Sequence, residues 1–159
     1  MKNDILIKTA IACVACDGNI SKEEVDLLES MYPDTPLVTI LYDEIRSKGV
    51  EFIKGYIDIL ISTDFTEDEE LQILDIAYKS IIADKLITYS EISFFKVIRS
   101  LLNVTDEHII ESFPEIDRDF LSQDIQCSPE QNINSYLKTA APTEIIYNSD
   151  KLENSQLLL

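Results

Sequence analysis

Tryptophan is absent from this 159-residue chain, histidine occurs once, glycine three times and proline five times. So few chain breakers, with apolar residues recurring at three- and four-residue intervals rather than alternating, exclude a strand-rich chain and predict helices joined by short connections. Basic residues are scarce as well: thirteen Lys and Arg stand against thirty Asp and Glu, a formal charge of −17. A field of that sign repels phosphate backbones and anionic headgroups, so neither nucleic acid nor a membrane surface is an expected partner. It attracts cations and basic protein surfaces, or serves solubility alone. No Ser/His/Asp set, Gly-rich phosphate loop or basic stripe interleaved with aromatics occurs, and the chain is expected not to be an enzyme. An enzyme working through paired carboxylates would need a concave pocket around them. Long apolar runs are missing too. The longest, Ala10 to Cys16, has seven residues, against about 20 for a membrane-spanning helix, and direct membrane insertion is not expected.

Cysteine is sparse and irregular: Cys13, Cys16 and Cys127 form an odd set with no framework. That suits a reducing compartment, a cytoplasmic protein and no structural disulfide. Cys13 and Cys16 spell C-x-x-C, but at the C-terminal end of an apolar helix, where a thiolate gains nothing from the dipole, so small core residues are the expected role. The start, from Met1 to Cys16, imitates a signal peptide, and Val14-Ala15-Cys16 imitates a lipoprotein cleavage box. Asp4, Lys8 and a mid-chain counterpart, Ile81-Ile82-Ala83-Asp84, oppose that reading and assign the segment to the fold.

What is present is a hydrophobic content of 45%, enough for one sizeable core, and a helical pattern along most of the chain. A first helix is expected from about Asn3 to Cys16, apolar all round in its second half and therefore central. A second runs from Lys22 to Tyr32 and is closed by Pro33, and a third starts at Thr35-Pro36 and ends near Lys48-Gly49. Phe52, Ile53, Tyr56, Ile57 and Leu60 mark a fourth, ending near Ser62. Thr66 with Glu69 has capping-box spacing and opens a helix burying Leu74, Ala77, Tyr78 and Ile81. The next, Tyr89 to Leu102, buries Phe94, Phe95 and Ile98, and Thr105 caps a short one. Beyond Pro114 the pattern thins to a short piece near Phe120, a helix at Ser128-Pro129, and a tail holding Thr143 to Tyr147 and Leu157 to Leu159. His108 reads as a solvated surface residue.

One phrase occurs twice. Cys16-Asp17-Gly18-Asn19-Ile20-Ser21, followed by Glu24, is matched 67 positions later by Ala83-Asp84-Lys85-Leu86-Ile87-Thr88, followed by Glu91. Each copy lies between apolar helices, which makes an internal repeat of helix, tight loop and helix. Ser21 with Glu24 and Thr88 with Glu91 have capping-box spacing, so both glutamates have a structural role open to them. Asp17 and Asp84 follow the last turns of their helices, where the backbone dipole disfavours negative charge by about 0.3 to 1 kcal/mol. Either loop amides compensate, as in an Asx turn, or an ion does. If the two units face each other, Asp17, Glu24, Asp84 and Glu91 form a candidate divalent-cation site, and oxygen-only donors point to Ca²⁺, Mg²⁺ or Mn²⁺. An EF-hand is set aside, because Glu24 is the eighth residue of the loop where the twelfth is needed.

The two phrases and their flanking helices, over roughly Asp4 to His108, resemble the TerB-like proteins of tellurite resistance operons and the N-terminal part of certain membrane-tethered J-domain co-chaperones. The resemblance implies an all-α bundle of two related helix-loop-helix halves, about 3–32 and 67–102, with Asp17 and Glu24 at the acidic positions of one half and Asp84 and Glu91 at those of the other. It also implies a divalent-cation site there and a non-enzymatic stress-response or scaffold role. Lys85 stands where the family favours glycine. The expected division is a helical domain at 1–113 and a C-terminal extension of short helices and tail at 114–159. The expected function is a TerB-like, tellurite-resistance-related interaction module with protein partners, homo-oligomers included. The other reading is a metal-free structural or protein-binding domain whose repeated acidic residues cap helices.

Overall fold

The computed structural model describes residues 2–33, 43–45, 47–84, 87–116, 120, 129–140 and 146–147. Its elements are α1 (Lys2–Ala15), α2 (Lys22–Met31), α3 (Val50–Ser62), α4 (Glu67–Ile81), α5 (Tyr89–Leu101), α6 (Asp106–Ser112) and α7 (Pro129–Ser135). A 3₁₀ turn at Ile82–Asp84 extends α4, and a π-helical turn at Tyr136–Ala140 extends α7. The chain is an all-α bundle, with one short addition. Asn19–Ile20 (β1) and Ile146–Tyr147 (β2) form a two-residue parallel bridge, Asn19 opposite Ile146 and Ile20 opposite Tyr147.

The unbroken apolar run from Ala10 to Cys16 decides the architecture. Every residue in it is fully buried, so α1 must be surrounded, and it packs most extensively on α4 while also touching α2, α3 and α5. Amphipathic neighbours cover it with one stripe each: α3 buries Phe52, Ile53, Tyr56, Ile57 and Leu60, and α4 buries Ile73, Leu74, Ala77 and Ile81, as their spacing predicts. Inside, Thr9 donates its hydroxyl to the Ile5 carbonyl and shares a 2.6 Å bond with Tyr56, so neither buried hydroxyl lacks a partner.

Gly49, at φ 58°, closes the helical residues 43–45 and 47–48 by donating to the Ile45 carbonyl, then opens α3. The left-handed angle is why glycine stands there. The helix expected from Thr35-Pro36 falls largely on 34–42, outside the described residues, as do Cys127 and Leu157 to Leu159.

Phe94 and Phe95 are successive residues of α5 and point to different partners, as a 100° step requires. Phe94 meets Tyr56 of α3 and Tyr136, with ring centroids at 6.2 and 5.1 Å. Phe95 meets Tyr78 of α4 and Phe120, and these two also meet each other edge to face at 5.1 Å. Ile116, Phe120 and Tyr136 are buried in the same hydrophobic cluster as α1. The core thus continues past Pro114, and α7 with its π turn lies against α5.

Candidate functional site

The repeated phrase resolves into separate local jobs. Gly18, at φ 89°, donates to the Ala15 carbonyl and ends α1, a conformation that favours glycine. Asn19 and Ile20 then run extended in β1. Ser21 is the N-cap of α2: its hydroxyl accepts from the Glu24 amide at 3.2 Å, and Glu24 Oε1 accepts from the Ser21 amide at 2.8 Å. The second copy repeats this box. Thr88 accepts from the Glu91 amide at 3.1 Å, while Glu91 Oε1 accepts from the Thr88 amide at 2.9 Å and from its hydroxyl at 3.2 Å. Glu24 and Glu91 are only 2% and 1% exposed. A third box, Thr66 with Glu69, opens α4 at the surface.

The two loop regions lie against each other crosswise. The Cys16 thiol points to the Ser90 carbonyl in the first turn of α5, and α2 packs on the 3₁₀ turn that ends at Asp84. Asp17 is half-buried. The Asp84 backbone lies in that turn, and its side chain is outside the described residues, as are Lys85 and Leu86. Among the described residues no group of three or more His, Cys, Asp or Glu is arranged to hold a metal ion. Asp17, Glu24 and Glu91 nevertheless act electrostatically on the thiols at the end of α1. Burial pushes the Cys13 thiol well up, with the charges of Glu91 and Glu24 adding to it, and burial, Cys13, Glu91, Asp17 and Glu24 do the same to Cys16.

These thiols are free and buried, which fits the core role expected of them. In a Cys127→Ser background, native protein should resist labelling by a disulfide reagent at pH 8 and react fully in urea. A raised folded-state value means that the stability from burying the neutral thiol is complete below the ordinary thiol value of 9.0 and is lost as pH rises. Above it, stability should fall by about 1.4 kcal/mol per pH unit for each group. Urea midpoints that stay level from pH 7 to pH 10 would contradict this.

Two features of the site escape sequence reasoning. Tyr136 is fully buried and donates its hydroxyl to the Cys16 carbonyl at 2.7 Å, meeting an acceptor that the end of α1 leaves over. Burial, then the Cys16, Cys13 and Asp17 groups, push its phenol up. Glu70, only 4% exposed, holds the α5–α6 corner through the Asn103 and Val104 amides. Beside it, His108 is exposed as expected but bonds Glu67 at 2.5 Å, and Arg99 grips Asp106 at 2.7 Å. A bond to a partner far along the chain leaves no local spacing signal, so neither Tyr136, which donates to Cys16, nor Glu70, which accepts from Asn103 and Val104, stands out in the sequence.

No protein-family model, curated protein or solved structure matches the chain. Among the described residues no helix is long and apolar enough to cross a membrane.

Proposed function

We propose that the chain is a non-enzymatic, TerB-like helical interaction module whose repeated glutamates are structural. The observation that supports this reading is the pair of complete, buried capping boxes at Ser21–Glu24 and Thr88–Glu91, which gives the most repeated feature of the sequence a role without a ligand. The second reading, a divalent-cation site at Asp17, Glu24, Asp84 and Glu91, draws its support from the three carboxylates that act together on the Cys16 thiol.

One set of variants separates the two. If capping is the role, Glu24→Gln and Glu91→Gln leave the melting temperature within about 2 °C, because glutamine also closes a capping box. Alanine at either position costs about 1 to 2 kcal/mol, or about 2 to 8 °C for a chain of this size. Calorimetry with Ca²⁺, Mg²⁺ and Mn²⁺ should then show no saturable binding at millimolar ion. Saturable binding that disappears in Asp17→Ala/Asp84→Ala would overturn the metal-free reading in favour of the cation site.

A further inference from the structure

Phe65, in the link between α3 and α4, walls two clefts at once. The larger, of about 300 Å³, lies between Phe65, Ile5 of α1 and Ile59 of α3. The smaller, of about 230 Å³, lies between Phe65, Val104 and His108. The ring is half-buried and packs on the hydrophobic core, so it is held in place while part of it still faces the clefts. An apolar wall with a fixed aromatic ring suits an apolar or cationic side chain.

The charged groups around the clefts divide into two sets. Lys8 is held by Asp4, His108 by Glu67, and the Glu70 oxygens by the Asn103 and Val104 amides. Asp64, on the wall of the larger cleft, and Asp68, Glu107 and Glu111, which flank the Glu67–His108 contact, are exposed and enter no ion pair or side-chain hydrogen bond among the described residues. Both cationic groups on the walls are thus engaged, and the unmatched charge is all negative. A metal ion does not suit it, since no three ligands are grouped among the described residues. Carboxylates spread over a link and two helices need an occupant with several positive charges along its length. Arginine fits the rest: its stem lies along apolar surface, and its guanidinium stacks on an aromatic ring and pairs with carboxylates. We propose that the clefts on Phe65 form a docking site for an arginine-rich segment of a partner protein. This rests on the reading of the chain as an interaction module and names the chemistry of its partner.

The test titrates the full chain into fluorescein-labelled hexa-arginine and hexa-lysine at physiological ionic strength and reads anisotropy, with circular dichroism to confirm helical content in each variant. Hexa-arginine should bind about threefold more tightly than hexa-lysine of equal charge, and Phe65→Leu should remove that preference. Asp68→Asn/Glu111→Gln should weaken hexa-arginine at least about threefold. The control is Asp26→Asn/Glu29→Gln, an equal change of charge on α2, which packs at the far end of α4, about 22 Å of helix away. It should have less than half that effect, because charge at such a distance is screened. Amide shifts in ¹⁵N spectra should concentrate on residues 63–70 and 103–111. Four results would overturn the proposal: no binding below millimolar peptide; equal weakening by the two double variants, which marks attraction to net charge; shifts spread over the whole acidic surface; or spermine binding as tightly as hexa-arginine, which makes a small organic cation the occupant. The capping variants and ion titrations are read independently, so a failed peptide does not count against the metal-free reading.

Discussion

Phe94→Ala is expected to lower stability by about 3 to 5 kcal/mol, the range for removing a buried aromatic ring. Phe94 is completely buried, and its ring lies between Tyr56 of α3 and Tyr136 of the C-terminal segment. Truncation therefore opens a cavity between Tyr56 of α3 and Tyr136, which both pack on this ring. Two consequences should separate in measurement. The urea midpoint falls as for any large-to-small core change, and in addition the amides of residues 129–140 exchange faster than those of α1 and α4, because the floor under Tyr136 is gone. Phe95→Ala is the natural control. Phe95 is equally buried but packs on Tyr78 and Phe120, so it should cost a similar amount without loosening 129–140 selectively. Equal exchange effects from both variants would contradict the assignment of Phe94 as the seat of Tyr136.

Glu70→Ala should cost about 2 to 3 kcal/mol, more than the alanine substitution of any exposed acidic residue on α4. Oε1 accepts from the Asn103 and Val104 amides at 3.0 and 2.9 Å, and Oε2 accepts from Asn103 at 3.1 Å. Alanine removes the charged acceptor and leaves the amide of the buried Val104 unpaired, which is the expensive half of the change. The position adds to the effect, since Glu70 lies in the first turn of α4, where the helix dipole favours negative charge. Thermal unfolding should shift down by roughly 4 to 12 °C, with faster exchange at the Val104 amide. Glu69→Ala, which removes the capping contact to Thr66 at the surface, should cost about 1 kcal/mol. Equal losses at the two positions would show that the corner is held by other means, such as the Glu67–His108 and Arg99–Asp106 pairs.

Glu69 and Glu70 also show what was legible beforehand. Glu69 stands three residues after a threonine, and that spacing alone announces its bond, because both partners lie within one helical turn. Glu70 binds amides more than thirty positions away in the chain, and nothing local distinguishes it from its acidic neighbours. The same division runs through the molecule. The helix at Tyr89 was readable from Thr88, Glu91 and the apolar spacing, and α1 was readable as central from its unbroken apolar run. In the candidate site, Ser21–Glu24 and Thr88–Glu91 were visible as capping boxes from the spacing of donors and acceptors. The docking of Tyr136 on Cys16 was not, because it joins residues at opposite ends of the chain, and the segment around it has too weak a periodicity to show which face it buries. Composition carried the helical class, but it could not say which of thirty acidic residues would be folded inward.

The pairing of Asn19–Ile20 with Ile146–Tyr147 sets an order of events during synthesis. At about 5 to 20 residues per second, β1 is made roughly 6 to 25 s before its partner strand exists. Contacts of such long sequence separation are among the last to form, while α1, α2 and their cap can assemble at once. Every newly made molecule therefore passes through an interval in which the bundle is folding while Asn19–Ile20 still lack their partner strand. The turn after α1 must be held by Gly18 and the Ser21–Glu24 cap until Ile146–Tyr147 arrive.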